Sequence, residues 1–146
     1  MKSPVFTIFG LLLWVQVSIA QNRPQVGTLT VNVSNVQHRV GNLKAVLQNR
    51  STFLTPQFIA CIEIHPTENR EQMIFNNLPF GEYAVMIYHD LNTNDIFDRN
   101  LMGYPREPFA VSNNLHILKL LRPSFDSVKI TLSSSEMAVN INLLNN

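Results

Sequence analysis

From Gly27 to Val33 the chain alternates, with Leu29, Val31 and Val33 on one side and Thr28, Thr30 and Asn32 on the other. That is the two-residue period of a strand with one buried face. Gly41-Asn42 is a turn signal ahead of an apolar run at 43–48, and a third run at 58–64 is closed by Pro66. Met73 to Phe75 is apolar and stops at Asn76-Asn77-Leu78-Pro79, after which Phe80-Gly81-Glu82 turns the chain into the strongest strand, 83–89. Tyr83, Val85 and Ile87 share one face of it, and Ala84, Met86 and Tyr88 the other. Both faces are apolar, which predicts a central strand covered on both sides, in part by the segment that follows.

Residues 90–114 carry Asp, Asn, Gly and Pro at loop density, far beyond the usual connection of about four to six residues. Loops of such length are functional or disordered. The run 115–121 is apolar and fits a strand or a helical turn. Residues 124–132 and 136–143 alternate again, with Ser133-Ser134-Ser135 between them as a hairpin loop. No stretch has helical periodicity with caps. About seven short strands predict an all-β fold, a two-sheet antiparallel sandwich of immunoglobulin-like layout, occupying residues 21–146 as one domain.

The first 20 residues are set apart. Met1-Lys2 is a short basic start, 5–19 is mostly apolar, and Ser18 with Ala20 supplies the small side chains of a cleavage site, predicting a cut between Ala20 and Gln21. The run is shorter than the roughly 20 residues that cross a bilayer. The expectation is therefore an exported chain, periplasmic or extracellular, with no membrane span once the signal is removed. The remainder has ten basic and ten acidic residues, and its balance gives no general attraction for nucleic acid or an anionic membrane.

Candidate chemistry concentrates in one place. Three of the four aspartates lie in His89-Asp90-Leu91-Asn92-Thr93-Asn94-Asp95-Ile96-Phe97-Asp98. Asp90, Asn92 and Asn94 occupy positions 1, 3 and 5 of a calcium loop, Ile96 supplies the position-7 carbonyl, and Asp98 stands at position 9. A tightly coiled loop aims alternate residues inward, so hard oxygen donors recur at spacing two around a hard cation. Position 6, where glycine makes the sharp turn, is Asp95, a residue type that enters left-handed backbone more readily than most. Position 12 is Leu101 rather than glutamate, so waters or a distant group such as Glu107 must complete the shell. Two readings stay open: a weak calcium site, or a loop rich in Asx turns whose side chains bond their own backbone.

Elsewhere the chain offers less. His89 beside Asp90 cannot share an ion with it from a regular strand, because adjacent residues face opposite ways, and a structural histidine is the expectation. His38, His65 and His116 have no ligand spacing, and no nucleophile elbow or phosphate loop is present. Cys61, the single cysteine, sits in an apolar run and is expected to be a small buried residue. Arg106-Glu107 between Pro105 and Pro108 reads as a rigid solvated turn.

Taken in order, Leu78-Pro79-Phe80-Gly81-Glu82-Tyr83-Ala84-Val85, His89-Asp90-x-Asn92-x-Asn94-x-x-x-Asp98, Gly103-Tyr104-Pro105-Arg106-Glu107 and Ser112-Asn113-Asn114 resemble the bacterial domain-of-unknown-function 2141 family. The resemblance runs through Pro123-Ser124-Phe125 to the last strand and implies an exported β-sandwich of transthyretin or prealbumin type, with no established activity. The family pattern has glycine where this chain has Asp95. The resemblance strengthens the case for an ion at Asp90, Asn92, Asn94 and Asp98.

Two function classes follow. One is a non-enzymatic exported module whose long loop, stiffened by calcium or its own hydrogen bonds, presents a surface to an envelope protein or glycan. The alternative is a metal-assisted hydrolase in which Asp90 and Asp98 hold the ion and His89 or His116 is the base.

Overall fold

The computed structural model describes residues 25–115 and 123–145. The segment expected to be an export signal, residues 1–20, and all of the 115–121 run but Leu115 lie outside the described residues. Among the described residues there are eight strands, one α-helical turn and a 3-10 turn at Ser112–Asn114: β1 (Val26–Ser34), β2 (Asn42–Gln48), β3 (Ala60–Ile64), β4 (Arg70–Pro79), β5 (Gly81–Asp90), β6 (Phe109–Val111), α1 (Phe125–Val128), β7 (Ile130–Leu132) and β8 (Glu136–Asn142). They form two sheets, one ordered β4-β1-β8 and the other β3-β2-β5-β6 with β7 also paired to β5. The all-β sandwich expected from the alternation is the fold.

The period-two faces meet between the sheets. Leu29, Val31 and Val33 of β1, Met73 and Phe75 of β4 and Ile141 of β8 pack with Leu43, Ala45 and Leu47 of β2 and Val85 and Ile87 of β5. Between β4 and β5 the chain changes sheet at Phe80, and the Tyr83 hydroxyl donates back to the Pro79 carbonyl at 2.7 Å. The other face of β5 is covered as well. Ala84 and Met86 lie with Phe53, Val111, Phe125 and Val128, while Tyr88 lies with Val46, Phe97, Phe109 and Leu144. Phe97, from the long connection, has its ring 5.5 Å from that of Tyr88 and 5.7 Å from that of Phe109.

Four expectations need correction. The sandwich is not wholly antiparallel, because β1 and β8 run parallel from Thr28↔Glu136 to Ser34↔Asn142. Consequently 133–135 is no hairpin loop: β7 pairs with β5, β8 with β1, and the three serines carry the chain from one sheet to the other. Residues 124–132 are not one strand, since Phe125 and Val128 sit three apart on a helical turn that buries both, and only 130–132 is extended. The connection after β5 is shorter than 90–114, ending at β6, whose three residues are all buried and so show no alternation.

Candidate functional site

Asp90 ends β5 on the face opposite His89, as strand alternation requires. The register settles the environments: Asn42 lies across from Asp90, Leu43 from His89 and Lys44 from Tyr88. Asp90 therefore shares the outer face with Lys44, and His89 points toward the core.

The loop wraps the Asp90 carboxylate, which is fully buried. Its Oδ1 accepts the Asn94 N–H at 3.1 Å and its Oδ2 the Asp95 N–H at 2.8 Å. Asp95 and Thr93 both have positive φ, 63° and 56°, so aspartate does take the left-handed turn that glycine usually makes. The Asn92 and Asn94 amide nitrogens both donate to Asp98 Oδ2, at 2.8 and 3.1 Å, while their own Oδ1 atoms accept the N–H groups of Asn94 and Ile96 at 3.2 and 2.9 Å. Ile96 thus contributes an N–H to the coil. Glu107 returns from the far end of the loop to accept the Leu91 N–H at 3.1 Å and the Asp98 N–H at 3.2 Å, and the Arg106 N–H donates to the Asp98 carbonyl at 2.9 Å. Burial pushes the Glu107 carboxyl up in pKa, against the pull of these two N–H donors.

Asp90, Asn92, Asn94, Asp98 and Glu107 are brought together, with Ile96 at the rim. Asp98 Oδ2 is the meeting point, and here it is met by amide nitrogens. Holding a cation there requires the Asn92 and Asn94 amides to turn their oxygens inward. The Glu107 oxygens and Asp90 Oδ1, each accepting one backbone N–H, keep a second lone pair for the ion, whereas Asp98 Oδ2 frees its own only when the two amides turn. Among the described residues no group of three or more His, Cys, Asp and Glu side chains is arranged to hold a metal, so amide and carbonyl oxygens must supply part of any shell.

One participant escaped sequence reasoning. Lys44, buried on β2, places its ammonium 3.6 Å from Asp90 Oδ2 and 3.2 Å from Glu63 Oε2 and also contacts Asp95. Burial draws its pKa down, but the Asp95 and Glu63 carboxylates more than reverse this and hold it above the ordinary lysine value. The only signal was a lysine inside the otherwise apolar Leu43-Lys44-Ala45-Val46-Leu47.

His89 is structural. Its Nε2 lies 2.8 Å from the Val40 carbonyl, which only accepts, so that nitrogen carries the proton; Nδ1 is buried with no hydrogen-bond partner. Burial lowers its pKa, and it faces away from the acidic loop. The hydrolase alternative therefore loses His89 as a base, and His116 lies outside the described residues. Cys61 corrects an expectation: it is exposed, because Ala60, Ile62 and Ile64 are the members of β3 packed against the core and the thiol points the other way. Its pKa is pushed up, first by desolvation, so it is not an activated thiolate.

Comparison with known proteins gives one result. A family model described as an uncharacterized protein conserved in bacteria (DUF2141) matches residues 31–140, a span that contains every residue of the loop site. No curated protein and no solved structure matches the chain.

Proposed function

The chain belongs to the bacterial domain-of-unknown-function 2141 family, and from that premise we propose that it is an exported, non-enzymatic recognition module. In this reading, residues 91–108 form the presenting element, with a weakly held calcium ion stiffening their base. The ion's donors are the side chains of Asp90, Asn92, Asn94 and Asp98 with the Ile96 carbonyl, and Glu107 stands where it completes the shell. The observation that carries the reading is the convergence of Asn92, Asn94 and Asp98 on one point, with Glu107 bonded to both ends of the coil. A calcium ion bound there supplies charge and cross-linking rather than chemistry. Affinity is expected in the range of about 0.1 to 1 mM, as for extracellular calcium modules. Lys44 works against it, since its ammonium already neutralises part of the acidic charge.

The test is thermal unfolding and limited proteolysis of the chain from Gln21 onward, with chelator and with millimolar calcium. Calcium is expected to raise stability by about 1 kcal/mol at roughly five times Kd and to protect residues 91–108. Asp98→Ala is expected to abolish both effects. Identical unfolding and cleavage in the two conditions sink the calcium reading.

A further inference from the structure

Beyond the coil, the same loop ends in a knob that the calcium reading leaves without a role. Residues 99–105 close a small hairpin: Arg99 bridges Pro105, the Asn100 N–H donates to the Tyr104 carbonyl at 2.8 Å, and the Gly103 N–H to the Asn100 carbonyl at 2.8 Å. Asn100 Oδ1 accepts the N–H groups of Met102 and Tyr104 at 2.9 and 3.0 Å. This tightly bonded turn holds two large apolar side chains out in water. Leu101 has a relative exposure of 108% and Met102 of 72%, and Ile96 on the same loop is 61% exposed.

The hairpin itself carries charge of one sign, although Asp98 and the buried Glu107 flank it in sequence. Residues 99–106 contain Arg99 and Arg106, both exposed, and no acid. The Arg99 guanidinium is held at the root of the hairpin, 5.1 Å over the Phe97 ring, with Nη1 donating to the Gly103 carbonyl at 3.3 Å. Tyr104, in the same hairpin, is half-buried. One short hairpin thus carries guanidinium groups, a phenol and two bare aliphatic side chains. A bilayer surface offers a partner for each of these chemistries, in phosphate, interface and acyl chain. A convex knob of two side chains falls far short of the roughly 1,000 Å² of a specific protein interface, whereas a fluid surface closes around it without a preformed pocket.

We propose that the Leu101-Met102 hairpin is a shallow membrane-surface anchor that enters a leaflet containing anionic phospholipid, with Arg99 and Arg106 on the headgroup phosphates. The near-zero net charge of the whole chain hides this attraction, which is local to the tip. The inference rests on the reading of 91–108 as the presenting element but does not require calcium.

The chain from Gln21 onward is sedimented with phosphatidylcholine vesicles and with vesicles of equal parts phosphatidylcholine and phosphatidylglycerol, in chelator. Binding to the anionic vesicles alone is expected. Leu101→Ser with Met102→Ser, on a turn whose backbone bonds do not involve those side chains, is expected to weaken it at least tenfold with an unchanged melting temperature. Arg99→Gln and Arg106→Gln are expected to cost about fivefold each and to reduce the salt dependence. Because Trp14 is the only tryptophan, Met102→Trp gives a single reporter whose emission shifts to the blue on insertion.

No sedimentation with anionic vesicles overturns the proposal, as does full binding by the double serine variant. Binding that appears only with calcium and disappears in Asp98→Ala overturns it too, by placing attachment at the ion. Tip-dependent capture of a protein or glycan without vesicle binding likewise overturns it. Failure here with a retained calcium-induced rise in melting temperature leaves the calcium reading standing.

Discussion

His89 and Asp90 are adjacent in sequence and physically unrelated, one packed toward the core with a bare Nδ1, the other wrapped by loop N–H groups on the outer face. Protonating His89 would bury an N–H with no acceptor. Its folded pKa lies below the ordinary value of about 6.5, so its contribution to stability is complete above that pH and is lost as pH falls from there through the folded value. Urea midpoints measured between about pH 7.5 and 5 are expected to fall for the wild type. They are expected to fall less for His89→Gln, which keeps a donor for the Val40 carbonyl without a titrating ring. Glu107 makes the opposite kind of contribution, as an acceptor for two N–H groups that no helix or strand satisfies. Glu107→Ala is expected to cost about 2 kcal/mol by urea unfolding, since both N–H groups lose their acceptor inside a closed coil. An unchanged midpoint would mean that water replaces the carboxylate freely.

Where β2 begins beside the end of β5, the element scale turns on one glycine. Gly41 has φ 72°, and a Cβ there would stand 2.0 Å from the Asp90 carbonyl oxygen and 2.7 Å from Leu91 Cα. Gly41→Ala is expected to cost more than about 2 kcal/mol and to loosen the loop base, because both clashing atoms are backbone. Hydrogen exchange at Asp90 to Asp95 is the direct readout. On β2 itself, Lys44 is the strand's one charged inhabitant and neutralises the buried Asp90. Lys44→Met removes the cation and leaves the carboxylate, an uncompensated buried charge that is expected to cost about 3 kcal/mol in chelator. If calcium is held next to Asp90, part of that loss returns on adding the ion, and the apparent affinity exceeds that of the wild type. A loss that calcium leaves untouched would separate the lysine from the ion site.

At the scale of the molecule, the five-stranded sheet is a central layer, because its outer face is roofed by Phe53, α1 and the loop aromatic Phe97. That roof ties the presenting loop to the sandwich. Phe97→Ala is expected to remove about 2 kcal/mol of half-buried aromatic packing and to bring protease cleavage into 91–108, while the inter-sheet core survives. Cleavage confined to other loops would show that the Asp90 coil, rather than the aromatic, holds the segment. Closure of the other sheet is equally non-local, since β1 gains its parallel partner β8 only after the chain has crossed into and out of the five-stranded sheet.

Much of the sandwich was written in the sequence where a physical period is long enough to read. Leu29, Val31 and Val33, or Tyr83, Val85 and Ile87, declare their buried face because a strand side chain has only two directions to point. Asp90, Asn92, Asn94 and Asp98 declare a coil because oxygen at alternate positions has little other reason to recur. Tertiary structure alone decided what short or distant pieces do. Three buried residues at β6 carry no period, Phe125 and Val128 resolve into a helical turn only against Ala84 and Val111, and β8 takes a parallel partner more than a hundred residues away. Lys44 belongs with these. Its charge was visible on the page, but only the register of β2 against β5, a property of two strands and not of either, places an ammonium beside Asp90 and the loop that follows it.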